Sequence, residues 1–199
     1  MLTLDQKNIK KARKMLFLCT DFLNKYGIKY YLEGGTLLGL VRDGDLLPWD
    51  HDVDISIDYA DAEKFNKLRW MFYFIGYRIT SRRGTESYGP IKANDYRIFK
   101  MKPLGFALLK VFYPALAEKM LVLDIFVKTN DDSHTYWQSM GHFLRVNKVH
   151  YESQDTVALD GISLTIPNKH EDYLTAKYGD WSVPVREWLC KDDEKTIIS

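Results

Sequence analysis

Apolar residues mark out a helix near the start of the chain. Ile9, Ala12, Leu16, Cys19, Leu23 and Tyr26 recur at three- and four-residue intervals, the spacing of one buried helical face. Thr3 and Gln6 have capping-box spacing, and Gly27 supplies a stop. Residues 28–32 are apolar and β-branched or aromatic, which predicts a strand. Glu33-Gly34-Gly35-Thr36 breaks it, and residues 37–41 fit a short helix that starts at the glycine turn. From Asp52 to Ile57 polar and apolar residues alternate strictly, the period of a half-buried strand. Asp58 is placed to cap a second helix that buries Ala62, Phe65, Leu68, Phe72 and Ile75 and ends at Gly76.

Further strands are predicted at residues 77–80, 96–101 and 121–127, with a loop at 81–94 that contains Gly84, Gly89 and Pro90. Residues 137–149 read as helical. Asp160-Gly161 reads as a turn within 159–167, which also holds a short strand. Asn168 and Glu171 have cap spacing for a helix ending at Gly179, and the charged tail after Trp188 reads as loose. These elements imply an α/β (α+β) fold, a mixed sheet with packed helices. They fit one domain over residues 1–199, with a catalytic core at about 26–130 and a C-terminal cover at about 131–188.

Composition narrows the class. Hydrophobic residues make up 46% of the 199, so a real core forms and disorder is not expected. The two cysteines exclude a Cys-rich zinc site and a disulfide framework, and Cys19 sits on the apolar helix face as a buried thiol. The most apolar region, residues 106–127, is broken by Lys110, Pro114, Glu118 and Lys119, so no transmembrane segment is expected. With no secretory signal visible, the expectation is a soluble, cytoplasmic protein that can touch a membrane-borne acceptor peripherally.

The net charge of +1 argues neither way on nucleic acid, and none is expected as a partner; the distribution of charge says more. Residues 43–63 carry eight acidic and no basic residues, while residues 78–102 carry seven basic and two acidic ones. An acidic cluster beside a basic one suits a site that binds cations and phosphates together.

On a strand, Asp52 and Asp54 project from one face. Two ionised carboxylates that close repel unless a cation sits between them, and hard divalent ions such as Mg²⁺ or Mn²⁺ take oxygen ligands. An exposed acidic strand face is the bland alternative for an isolated Asp-x-Asp. Asp50, Asp52, Asp54 and Asp58 also partly match a calcium loop, but Ile55 stands where that loop needs glycine and Asp61 replaces its bidentate glutamate. Gly34 and Gly35 allow close backbone approach to a ligand, and Thr36 with the amides of the next helix can hold phosphate oxygens. Arg42 is a further phosphate candidate, and Arg97 and Lys100 are weaker ones. Asp124 lies amid Leu121-Val122-Leu123 and Ile125-Phe126 and, if buried, needs a partner: a metal shared with Asp52 and Asp54, or a nearby Lys or Arg.

Tyr31-Leu32-Glu33-Gly34-Gly35-Thr36-Leu37-Leu38-Gly39, then Arg42, Gly44 and Pro48-Trp49-Asp50-His51-Asp52-Val53-Asp54-Ile55, resembles the LicD family. That family includes bacterial phosphorylcholine transferases and fukutin-related ribitol-phosphate transferases. Ile166-Pro167-Asn168, Tyr173-Leu174 and Tyr178-Gly179-Asp180 are similar to its closing segment. The resemblance implies a polymerase-β-like nucleotidyltransferase fold and transfer of a phospho-alcohol from a CDP-linked donor to a glycan or glycolipid hydroxyl. It makes Asp52 and Asp54 the metal-binding pair, places Asp50 in the same acidic run as ligand or neighbour, and matches Asp124 to the third carboxylate, as ligand or base. His51 receives no metal role.

Three rivals stand beside this reading. One is a nucleotidyltransferase that uses a nucleoside triphosphate, and another is a non-catalytic nucleotide- or glycan-binding module. An Asp-x-Asp glycosyltransferase is the third, but it needs a longer nucleotide-binding region before its motif. The alcohol stays open: choline wants an aromatic cage, for which Trp49, Trp137, Trp181 and Trp188 are available, whereas ribitol or glycerol wants hydrogen-bonding side chains.

Overall fold

The computed structural model describes residues 3–4, 6–117 and 120–198. Helix α1 (Gln6–Lys25) buries Ala12, Met15, Leu16, Cys19 and Leu23, as its apolar spacing requires. The capping role of Gln6 lies outside the described side chains. Strand β1 (Tyr30–Leu32) leads into α2 (Gly34–Arg42), which begins at the glycine turn itself. β2 (Val53–Asp58) follows, and Asp58 caps α3 (Tyr59–Leu68) by accepting from Ala60 N–H at 2.8 Å. α3 runs on as a 3₁₀ turn over Arg69–Ile75. The change of pitch rotates the face: Phe72 stays buried while Ile75, expected inside, is 45% exposed.

β3 (Tyr77–Arg83) and β4 (Tyr96–Pro103) form an antiparallel pair, so β3 runs three residues into the expected loop. Short helices α4 (Phe106–Phe112) and α5 (Pro114–Ala117) lead to β5 (Leu123–Asn130). Strand order is β1-β2-β5-β4-β3; β2 and β5 are parallel and the other pairs antiparallel, a mixed sheet.

Residues 137–149, expected as helix, form a hairpin instead: β6 (His134–Ser139) and β7 (His142–Asn147). Met140 and Gly141 both take positive φ, 52° and 89°, the geometry of a tight two-residue hairpin turn. Both faces of the hairpin are covered, Trp137, Leu144 and Val146 by the main core and Tyr136 and Phe143 by a second small cluster with Ile91. Apolar residues at both parities hide the two-residue period. β8 (Gln154–Leu159) and β9 (Ile162–Pro167) form a second hairpin around Asp160-Gly161. α6 (His170–Tyr178) follows, with Lys169 rather than Asn168 at its N-cap position, and α7 (Cys190–Asp193) lies in the tail.

The tail is docked, not loose. Glu194 is buried against Lys177, Arg145 N–H donates to Thr196 O at 2.9 Å, and Ile197 bridges to Leu144. A carboxylate that meets a buried ammonium this way anchors a charged segment that its composition would leave in solvent.

The sheet has two unlike faces. Val53, Ile55 and Ile57 of β2 share a face with Leu123, Ile125 and Val127 of β5 and with Phe99 and Met101 of β4, and all are buried in one core with α1 and α3. The alternate positions carry Asp54, Ser56 and Asp58 on β2, Asp124 and Lys128 on β5 and Lys100 and Lys102 on β4, with Phe126 and Ile98 among them. Where that face is covered, a network ties β1 to the C-terminal elements. Glu33, at the end of β1, accepts from Lys128 Nζ (2.6 Å), Ser56 Oγ (2.8 Å), Tyr151 Oη (2.9 Å) and Tyr173 Oη (2.7 Å). Burial pushes the Lys128 ammonium down to about 8 against the pull of Glu33. Lys128→Met should therefore destabilise the protein by about 3–5 kcal/mol in urea unfolding, since Glu33 is left buried without its countercharge. Glu33→Gln combined with Lys128→Met should cost less than Lys128→Met alone; a larger loss in the double variant would show that the two side chains act independently.

Candidate active site

Strand register lines up the chemistry. Thr80 of β3 pairs with Lys100 of β4, Lys100 with Asp124 of β5, and Asp124 with Asp54 of β2, so one row crosses four strands on the polar face. Asp52 stands just before β2. Asp52, Asp54 and Asp124 each offer an oxygen within 4.8 Å of the other two.

Burial and mutual repulsion hold protons on this cluster. Burial first, then the charges of Asp50 and Asp124, raise the Asp52 carboxyl from 3.8 to about 7, with Lys100 opposing. Asp54 is raised well above the ordinary range by burial and by Asp52, Asp124 and Asp50. Asp124 is raised by burial, against the pull of Lys100, Lys102 and Arg82. Its Oδ2 accepts from Lys100 Nζ, while Oδ1 is buried with no hydrogen-bond partner among the described residues. The two alternatives for Asp124 thus coexist: it has a cationic neighbour and still keeps an oxygen open. An all-oxygen donor set with excess negative charge and an orphaned buried oxygen fits a hard divalent cation.

The glycine turn answers the same crowding. Gly34 has φ 53°, and a Cβ there would overlap Asp54 Oδ2; a Cβ on Gly35 would overlap Asp50 Oδ2. Asp50 lies outside the three-carboxylate group. Its Oδ1 accepts from His51 N–H at 2.8 Å, and it acts on Asp52 through charge. Thr36 is buried and its Oγ1 accepts from Asp54 N–H at 2.9 Å, so this hydroxyl positions the carboxylate strand. Glu33, spent on the Lys128 network, gives α2 no side-chain cap, which leaves the first-turn amides uncapped by that side chain. Arg42 engages Asp43 through two 2.8 Å hydrogen bonds, donates to Trp181 O at 3.3 Å and lies over the Trp49 ring. Its donors bind protein groups, and it ties α2 to the segment after α6.

Lys100, Lys102 and Arg82 all act electrostatically on Asp124, so a basic strip adjoins the acidic cluster. Arg97 is skipped by the β3–β4 register, which passes from Arg82–Ile98 to Arg83–Tyr96, so it sits at an irregularity of β4 outside the row that holds Lys100.

Sequence reasoning missed the wall on the other side: Glu33, Lys128, Tyr151, Tyr173, Lys177 and Glu194. The one available signal was a charged residue closing each of two apolar strands, Glu33 after 28–32 and Lys128 after 121–127. The aromatic residues do converge, but on the chain's own cations. Lys128 Nζ lies 4.0, 4.5 and 5.1 Å from the ring centroids of Tyr151, Trp137 and Tyr173. Lys177 lies over Trp137 and Trp188, and Arg42 and Arg186 lie over Trp49. A groove of about 790 Å³ between α1 and the β8–β9 turn, lined by Lys14, Phe17 and Ile162 among others, shares no residue with the carboxylates.

Three carboxylates on a mixed sheet, beside a glycine turn that opens a helix, define a domain of the nucleotidyltransferase type. The chain belongs to the LicD/FKTN/FKRP nucleotidyltransferase domain family, whose model matches residues 27–169. It is 49% identical over 61 residues to the ribitol 5-phosphate transferase FKRP of Homo sapiens, which covers 31% of this chain and 12% of that protein. It is 32% identical over 60 residues to the lipopolysaccharide cholinephosphotransferase LicD of Haemophilus influenzae, 27% of this chain and 23% of that one. The matched stretches therefore span under a quarter of either relative. Among solved structures, the lincosamide antibiotic adenylyltransferase LnuA, lincomycin-bound, superposes with a TM-score of 0.47 and 18% identity, over 81% of this chain and 83% of that one.

The crowded carboxylates set a pH dependence. Folded Asp52 keeps its proton up to about 7, while the ordinary aspartate value is 3.8, so between those values the folded state binds the extra proton. Stability of the metal-free protein should fall as pH rises from about 4 to 7. Asp54→Asn should flatten that fall and melt a few degrees higher than wild type at pH 8, about 2–4 °C for each kcal/mol of repulsion relieved. Thermal unfolding in the presence of chelator measures this, and a lower melting point for Asp54→Asn at pH 8 would contradict it.

Proposed function

We propose that this chain transfers a phospho-alcohol from a CDP-linked donor to a sugar hydroxyl of a glycan or glycolipid, with Mg²⁺ or Mn²⁺ held by Asp52, Asp54 and Asp124. The observation that carries the reading is the three-carboxylate cluster, in which Asp124 is buried with an unpaired oxygen and shares a row with Asp54 and Lys100. Support also comes from the activities by which the similar proteins are named, ribitol 5-phosphate transfer and lipopolysaccharide cholinephosphotransfer.

A bound divalent ion would supply charge neutralisation at the phosphoanhydride and make an approaching hydroxyl more acidic. The chain's own groups bind and orient. The first-turn amides of α2, at Gly34, Gly35 and Thr36, offer donors to phosphate oxygens, and the helix dipole favours the anion there. Lys102 and Arg82 add positive charge beside Asp124 for the rest of the diphosphate. As the acceptor oxygen bonds to the phosphorus of the phospho-alcohol, the bond from that phosphorus to CMP breaks. The hydroxyl proton goes to a carboxylate of the cluster, and CMP leaves.

A polyol, ribitol or glycerol, suits the site better than choline as the transferred alcohol. A quaternary ammonium needs vacant aromatic faces, and the rings around Lys128, Lys177 and Arg42 already hold the chain's own cations. A triphosphate donor is the second reading, because the same cluster would serve it with pyrophosphate leaving.

Incubation with Mg²⁺, mixed glycan acceptors and a panel of CDP-ribitol, CDP-glycerol, CDP-choline and the four nucleoside triphosphates separates these. CMP should appear from a CDP-polyol and fall at least about a hundredfold in Asp52→Asn. Pyrophosphate from a triphosphate, with no CMP from any CDP donor, would overturn the donor assignment; CMP from CDP-choline alone would overturn the polyol.

A further inference from the structure

Residues 69–85 and 99–117 together carry seven basic residues and no acidic one. They meet at one end of the β3–β4 hairpin, where Tyr77 pairs with Pro103, Arg78 with Lys102, and Leu104 N–H donates to Gly76 O at 3.1 Å. Ten of the seventeen exposed large apolar residues fall in these two segments. Phe74 is 79% exposed, Val111 74%, Phe112 69% and Leu108 67%, with Tyr113 and Trp70 also more than half exposed. Apolar side chains of this size leave water when they can, and no packing within the described residues covers them.

Among the described residues the rim of this patch is cationic. Arg78 and Lys102 stand directly opposite each other across the strands, a like-charge pair that costs stability. Neither they nor Lys110 form an ion pair among the described residues. The Lys102 ammonium lies 4.2 Å from the centroid of the Phe106 ring, and burial, Lys100, Arg82 and Lys110 all lower its affinity for its proton. Uncompensated cations beside an apolar ridge call for an anionic surface with an apolar interior. A protein partner is the poorer match, since protein interfaces are depleted in lysine.

We propose that the end of the molecule formed by residues 70–76 and 104–116 docks onto an anionic lipid surface. The aromatic and aliphatic side chains enter the headgroup boundary, and Arg78, Lys102 and Lys110 meet lipid phosphates. No helix among the described residues is long and apolar enough to cross a membrane. Lys102 is two residues, about 7 Å along a strand, from Lys100 at the carboxylates. Under the transferase reading above, docking would bring an acceptor carried on a lipid to the cluster, but the docking itself does not rest on that reading.

Flotation with phosphatidylcholine vesicles, with and without phosphatidylglycerol, tests this. The wild type should float only with the anionic vesicles. Lys110→Glu should weaken binding by about five-fold or more, the equivalent of one lost charge contact. Phe74→Ser with Phe112→Ser should abolish it in a protein that still melts cooperatively. Asp54→Asn should bind as the wild type does, which separates docking from chemistry. Three results would overturn the proposal: no flotation of folded wild type, flotation that Phe74→Ser/Phe112→Ser and Lys110→Glu leave unchanged, or a dimer in solution that the paired serine substitutions dissolve.

Discussion

Asp54 and Asp124 stand side by side on parallel strands, with the Asp52 carboxylate brought against them, and much of the molecule answers the repulsion that results. Lys100 takes one Asp124 oxygen. Gly34 and Gly35 are glycines because the carboxylates of Asp54 and Asp50 occupy the space of their side chains. Thr36 fixes the backbone of Asp54 from α2. Even so, the cluster holds protons that isolated aspartates would release. Such an arrangement costs folding stability and persists where the charge is used. Under the function proposed above, that use is a divalent cation shared by the three carboxylates.

The two-faced sheet makes this tolerable. Its core face is uniformly apolar from β2 across β5 to β4 and packs on α1 and α3, so the polar face is held in register from behind. Around the cluster the polar face is divided by sign, with Asp54 and Asp124 on β2 and β5 facing Lys100 and Lys102 of β4 and Arg82 of β3. Glu33 links the acidic part to the C-terminal elements through Lys128, Tyr151 and Tyr173, and the Lys177–Glu194 pair draws the tail onto the same wall. These buried cations lie over the aromatic rings nearby.

The site was legible in the sequence because its parts lie in short local motifs. Strict alternation placed Asp54 on a strand face, Asp124 stood out as a lone carboxylate in an apolar run, and Gly34-Gly35 marked the turn ahead of both. What could not be read is what depends on pairing at long range. Nothing local announced that Lys100 would sit beside Asp124, or that Glu33 and Lys128, 95 residues apart, would form one buried pair. The β6–β7 hairpin was hidden because both its faces are buried and its turn uses Met140 at positive φ, a residue that gives no turn signal. The docked tail was hidden because its anchor, Glu194, reads in sequence as one more solvated charge.

The divalent ion proposed to be shared by Asp52, Asp54 and Asp124 can be sought directly. Titration with Mn²⁺, followed by loss of the free-ion electron paramagnetic resonance signal, tests for it without reference to any substrate. Saturable binding is expected at neutral pH, weakening as pH falls below about 7 and lost in both Asp54→Asn and Asp124→Asn while each variant remains folded. Binding by Asp124→Asn that matches wild type, or no saturable binding by the wild type, would contradict it.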